Sequence, residues 1–160
     1  MMQKLHTILN QINYRPHIRF IGVSYNKILL YSCERYEVYL ICWLAGQETL
    51  VHDHPDEGCL MRVVSGKLVE ETYYAASAAR IQVTTLGPMM HAFRHGKNVV
   101  HRLRAIEDSV SLHVYLPPGY IPSTYDISGG GSGPESIALP PAQQQAFCEL
   151  SSSLGNLKLS

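Results

Sequence analysis

GQETLVHDHPDEGCLMRVVSG, residues Gly46 to Gly66, is the stretch on which the reading of this chain turns. It starts on a glycine, carries His52 and His54 two positions apart, turns through Pro55-Asp56-Glu57-Gly58, and leaves on the apolar run Cys59–Val64 before a second glycine. Residues two apart on a strand point to one face, so His52 and His54 can aim two imidazoles at one metal ion. The same pair also occurs as two polar residues on an ordinary strand, so a metal site needs a third ligand from elsewhere.

The spacing G-x5-HxH-x4-C-x6-G resembles the first signature of the cupin superfamily, with Cys59 where most cupins have glutamate. The remainder of the chain fits such a barrel. Ile18 onward is a series of short β-rich runs: IRFIGV, ILLYS, YEVYLICWL, CLMRVV, LVEETYY, RIQVTTL, VVHRLRA and VSLHVYL. Many short strands with little helix between them predict an all-β sandwich or barrel, and a jelly roll suits because its interior can hold a ligand. In Tyr36–Trp43 both alternating faces are largely apolar, which predicts a central strand covered on each side. QKLHTILNQI at residues 3–12 sets Leu5, Ile8, Leu9 and Ile12 at helical spacing, predicting a short amphipathic helix.

At 160 residues the chain has the size of one domain, and it divides into a helix and lead-in (1–17), a barrel (18–126) and a flexible tail (127–160) with a helix over 140–150. Thirteen Lys and Arg balance thirteen Asp and Glu. No basic patch points to nucleic acid or an anionic membrane, so the expected partner is a small molecule and the chain a monomer. Met1–Ile12 lacks the apolar core of a secretion signal, and no apolar run approaches a membrane span, so a cytoplasmic location is expected. Cys33, Cys42, Cys59 and Cys148 form no CxxC pair and read as thiols.

His101, within the strand-like run VVHRLRA, is the candidate third ligand; His91 and His95 lie in PMMHAFRHGKN, which reads as a loop, and rank below it. Three imidazoles without a carboxylate suit Fe(II) with open positions for exogenous ligands. With Cys59 as a fourth ligand, a closed structural zinc site is the competing reading.

HDHPDEGC, LMRVVSGKLVEETYY, HRL and SLHVYLPP together resemble the thiol dioxygenase family, specifically cysteine dioxygenase, over about Ser24 to Pro118. The resemblance implies a single cupin jelly-roll barrel with iron held by His52, His54 and His101. It implies a thioether crosslink between Cys59 and Tyr115, with His113 hydrogen-bonded to the Tyr115 hydroxyl. The implied reaction oxidises L-cysteine to cysteine sulfinic acid with O2, using Fe(II) and no organic cofactor, in cysteine catabolism. The family holds the substrate carboxylate with a Y-x-R-N-L pattern, whereas this chain reads Tyr25-Asn26-Lys27-Ile28-Leu29. Lys27 keeps the charge without the bidentate fork. Arg62 and Arg102 are alternatives, but alternation turns both away from the site, leaving Lys27 and Tyr25 as the expected substrate contacts. Another small thiol acid such as 3-mercaptopropionate, or a non-catalytic metal- or ligand-binding cupin, is the competing expectation.

Overall fold

A computed structural model of the chain describes residues 1–128 and 136–137. The predicted tail helix over 140–150 and all but the first residue of the glycine-rich segment Ser128–Gly133 lie outside these residues. Helix α1 spans Met2–Gln11. Eleven strands follow: β1 Asn26–Ser32, β2 Glu37–Trp43, β3 Val51–His52, β4 Gly58–Ser65, β5 Leu68–Tyr74, β6 Arg80–Leu86, β7 His91–Arg94, β8 Val99–Ala105, β9 Ser109–Leu116, β10 Thr124–Tyr125 and β11 Ser136–Ile137.

The strands form two antiparallel sheets ordered β1-β2-β9-β4-β7 and β11-β10-β3-β8-β5-β6. From β2 to β5 the chain steps to the other sheet with each strand, and it does so again from β7 to β9, as a jelly-roll barrel requires. The alternation of β9 shows how sequence sets the layers. Val110, Leu112 and Val114 pack outward against Leu5 and Leu9 of α1, while Ser111, His113 and Tyr115 face the space between the sheets. Burying the two leucines against β2, β4 and β9 is what holds α1 in place, since a ten-residue helix is marginal alone. β2 is central and buried along its whole length, as its apolar faces predict.

Both glycines of the opening stretch adopt positive φ, +86° at Gly46 and +77° at Gly66. At Gly66 a Cβ would also collide with the Asp108 carbonyl and Ser109, so the β4–β5 turn can close only on glycine.

Two expected elements differ. IRFIGV is not a strand: Ile18, Phe20 and Val23 are exposed, and the side-chain amides of Asn26 and Gln47 donate to Arg19 O and Ile21 O, each at 2.9 Å. Side chains there take the hydrogen-bonding role of a neighbouring strand. PMMHAFRHGKN is not all loop, because His91–Arg94 pairs with β4 as β7. Four residues are too few to show a period, and the strand is defined by its partner.

Candidate metal centre

His52 ends β3 and His101 lies directly opposite it on β8. His54 is not on the strand. The chain leaves β3 at Asp53, and His54 is placed by its backbone N–H donating to Gly96 O at 3.2 Å, while Asp53 N–H donates to Ser123 O at 3.1 Å. A turn, rather than two-residue alternation, brings the second imidazole round. The Nε2 atoms nevertheless converge: His54 to His101 is 3.0 Å and His101 to His52 is 3.2 Å.

The outer nitrogens settle what those atoms carry. His52 Nδ1 is 2.9 Å from the Leu50 carbonyl, which can only accept, so Nδ1 holds the proton. His101 Nδ1 donates likewise to Glu70 Oε1 at 2.7 Å. Both Nε2 atoms therefore present lone pairs to each other with no proton between them, and the complement of such an arrangement is a cation. Burial, and then the neighbouring imidazoles, hold the ring pKa values of His54 and His101 far below the ordinary value, keeping both neutral as ligands. The group of mutually close ligand atoms comprises His52, His54 and His101 and leaves Cys59 outside it. The closed zinc arrangement with Cys59 as fourth ligand is thus not formed.

The histidines open onto a cavity of about 700 Å³ between the sheets. Its opposite wall comes from the five-stranded sheet, with Tyr25, Lys27, Cys59, His113 and Tyr115 among its lining. Cys59 and Tyr115 are cross-strand neighbours on β4 and β9, and the Tyr115 hydroxyl hydrogen-bonds Cys59. Burial raises the Cys59 thiol to about 12 and pushes the Tyr115 phenol well above its usual value. Lys27 sends its ammonium between two rings, 4.1 Å from the Tyr39 centroid and 4.6 Å from that of Tyr115. Lys27 retains some surface because the cavity is open, yet burial lowers its pKa to about 8. Tyr25 packs against Trp43 with ring centroids 4.8 Å apart and planes tilted by 31°.

The hydrogen bond expected between His113 and the Tyr115 hydroxyl is not made. Their rings stack at 6.2 Å, and His113 Nε2 instead meets Ser111 Oγ at 2.8 Å. Ser111 in turn accepts from the Trp43 indole N–H at 2.9 Å. Desolvation takes His113 down to about 3, so the ring is neutral at physiological pH. Arg62 and Arg102 do turn away: Arg62 donates to Asn10 Oδ1 and Leu9 O, each at 2.5 Å, and Arg102 to Glu71 at 2.9 Å.

Glu70, Arg94 and Asp53 are site residues that the sequence reading passed over. Glu70 had a signal: it alternates with Leu68 and Thr72 on the inward face of β5, an acid in a buried row. Arg94 lay in the presumed loop. Asp53 is 1 % exposed and accepts from Tyr120 Oη at 2.8 Å, Ser123 N at 2.7 Å and Tyr125 Oη at 2.9 Å, tying the chain after β9 to the histidine turn.

A family model described as cysteine dioxygenase type I matches residues 9–128. Among curated proteins, cysteine dioxygenase type 1 of Danio rerio is 26% identical over 106 residues, covering 60% of this chain and 52% of that protein. The Bos taurus counterpart is 30% identical over 93 residues, covering 52% and 46%. The chain thus spans about half the length of the curated relatives it matches. Among solved structures, an RmlC-like cupin protein from Desulfovibrio desulfuricans superposes with a TM-score of 0.50 at 24% identity, covering 62% of this chain and 89% of its own, which shows the shared fold.

Proposed function

Because the chain belongs to the cysteine dioxygenase type I family, we propose that it is a non-haem iron dioxygenase that converts L-cysteine and O2 to cysteine sulfinic acid. The observation that carries this reading is the convergence of three imidazole Nε2 atoms on one wall of a cavity whose other wall holds a half-buried lysine.

His52, His54 and His101 would hold Fe(II) through Nε2, and the ion would supply the redox chemistry that activates dioxygen toward a thiol. Both atoms of O2 end on sulfur, so no external reductant and no organic cofactor are needed. The protein's own groups do the rest. Lys27 anchors the substrate carboxylate as a point charge, assisted by Tyr25 from the same face of the chain, and so sets the distance of the sulfur from the histidines. Tyr115 offers its hydroxyl to the reacting end of the cavity. Ser111 and Trp43 fix the His113 ring, which stacks on Tyr115 and keeps the phenol from swinging.

The same reading includes a thioether between Cys59 Sγ and the Tyr115 ring, supported by their cross-strand pairing, whose formation removes two protons and two electrons that dioxygen takes up. Its signature is an intact mass lower by two hydrogens after aerobic turnover, absent in Cys59→Ser.

The reading is tested by oxygen uptake of the anaerobically iron-loaded protein given L-cysteine, with mass spectrometry of the product. Cysteine-dependent uptake and a product two oxygens heavier are expected. Silence with cysteine and with other thiol acids would overturn it in favour of a ligand-binding cupin. Lys27 motivates a second reading, a thiol acid other than cysteine such as 3-mercaptopropionate, since a single ammonium lacks the fork that selects one carboxylate pose. A higher kcat/KM for 3-mercaptopropionate than for cysteine would establish it.

A further inference from the structure

Glu70 is an isolated acid on the inward face of β5 with its side chain 1 % exposed. A carboxylate so placed is costly unless both oxygens are satisfied. One is: Oε1 accepts from His101 Nδ1 at 2.7 Å. The other accepts from Arg94 Nη2 at 2.6 Å. Arg94 reaches Glu70 from the opposite sheet. It lies on edge strand β7, opposite Cys59 of β4, and its Nη1 donates back to its neighbour's carbonyl, Phe93 O, at 2.8 Å.

We propose that Arg94 is a positioning residue for the metal centre, fixing the His101 ring through the Glu70 carboxylate. A carboxylate held only by the imidazole is free to turn about its last bond, and the ring can turn with it. Pinning Oε2 fixes the carboxylate plane, so Oε1 draws Nδ1–H along one line and the opposite nitrogen, Nε2, points along one direction toward His52 and His54. The guanidinium is itself pinned through Nη1, so the series Phe93 O, Arg94, Glu70, His101 runs from one sheet to the other without a loose member. Arg94 also borders the cavity; Nη1 and Nη2 each give one hydrogen to these two bonds, and its Nε is buried and without a partner.

The inference rests on the histidine centre of the proposed function but not on thiol oxidation, so its test needs no turnover. Metal-free wild type, R94L, R94K and E70Q are titrated anaerobically with Co(II), whose visible bands report coordination geometry. Near-UV circular dichroism and Tm of the metal-free proteins control for folding. R94L and E70Q are expected to bind cobalt about 10-fold or more weakly, with shifted bands, at wild-type fold. R94K should recover part of the loss, because lysine restores charge without the fork. A folded R94L with wild-type affinity and wild-type bands overturns the proposal. Should R94L not fold, R94K decides: unchanged affinity and bands overturn it, whereas weaker binding with shifted bands in a folded protein supports it. Wild type that takes up no cobalt overturns the metal centre and this inference together. Wild type that binds cobalt, yet when iron-loaded oxidises no thiol, overturns the proposed reaction and leaves the role of Arg94 standing.

Discussion

Lys27 carries its charge at a cost that pH can expose. Its pKa is lowered to about 8 by burial, partly opposed by Cys59 and Glu37, against 10.5 for the free side chain. The unfolded chain therefore holds a proton that the folded chain has released between pH 8 and 10.5, and stability rises with pH across that window. Below it the penalty is fully present. Lys27→Met is expected to be more stable than wild type at pH 7 by on the order of 1–2 kcal/mol in urea titrations. The advantage should fade above pH 10.5. If Lys27 anchors the substrate, the same variant raises KM about 10-fold or more with a smaller change in kcat, and wild-type KM climbs as pH passes about 8. A KM that is flat across that range, and equal in the variant, would remove Lys27 from the binding site. His52, His54 and His101 were legible from the HxH spacing and the strand-like run VVHRLRA, and Lys27 from its position in the resemblance, although a turn and not alternation places His54. Arg94 was not, and the alternation of β5 marked Glu70 only as an inward acid, since their pairing is a contact between two sheets that no local period encodes.

Between elements, the histidine turn and the segment after β9 are joined by one side chain. Asp53 accepts hydrogen bonds from Tyr120, Ser123 and Tyr125, and burial followed by that carboxylate raises the Tyr125 phenol to about 12. Hydrogen bonds to a buried charge are the strong ones. Asp53→Ala is expected to cost on the order of 3 kcal/mol in chemical denaturation. It should also speed amide exchange over 118–125 by more than over β2, and unchanged exchange there would show that the tether is idle. The strands that could be read in advance, β2 and β9 among them, are long enough for their apolar runs to mark them without a partner. β3, with two residues, and β7, with four, are strands only because β8 and β4 pair with them. IRFIGV shows the converse: β-rich composition without a partner gave an irregular lead-in whose carbonyls are met by amide side chains.

Across the whole molecule two ligands come from one sheet and the third from the turn after β3, while the proposed substrate contacts lie on or beside β1 of the other sheet. A metal ion ties β3, β8 and the turn between β3 and β4 together, and so is expected to stabilise the folded state by mass action. At 100-fold excess over Kd the gain is about 2.7 kcal/mol, several degrees in Tm. Chelation should reverse it, and a Tm indifferent to Fe(II) and Co(II) would argue against the centre. Among the described residues no helix is long and apolar enough to cross a membrane.

The sequence has a single tryptophan, and Trp43 is fully buried at the cavity wall, packed against Tyr25 and donating to Ser111 beside His113. The protein thereby contains its own fluorophore at the place where events matter. Its emission comes from one environment, so metal loading, occupation of the cavity and unfolding can each be followed by light without a label.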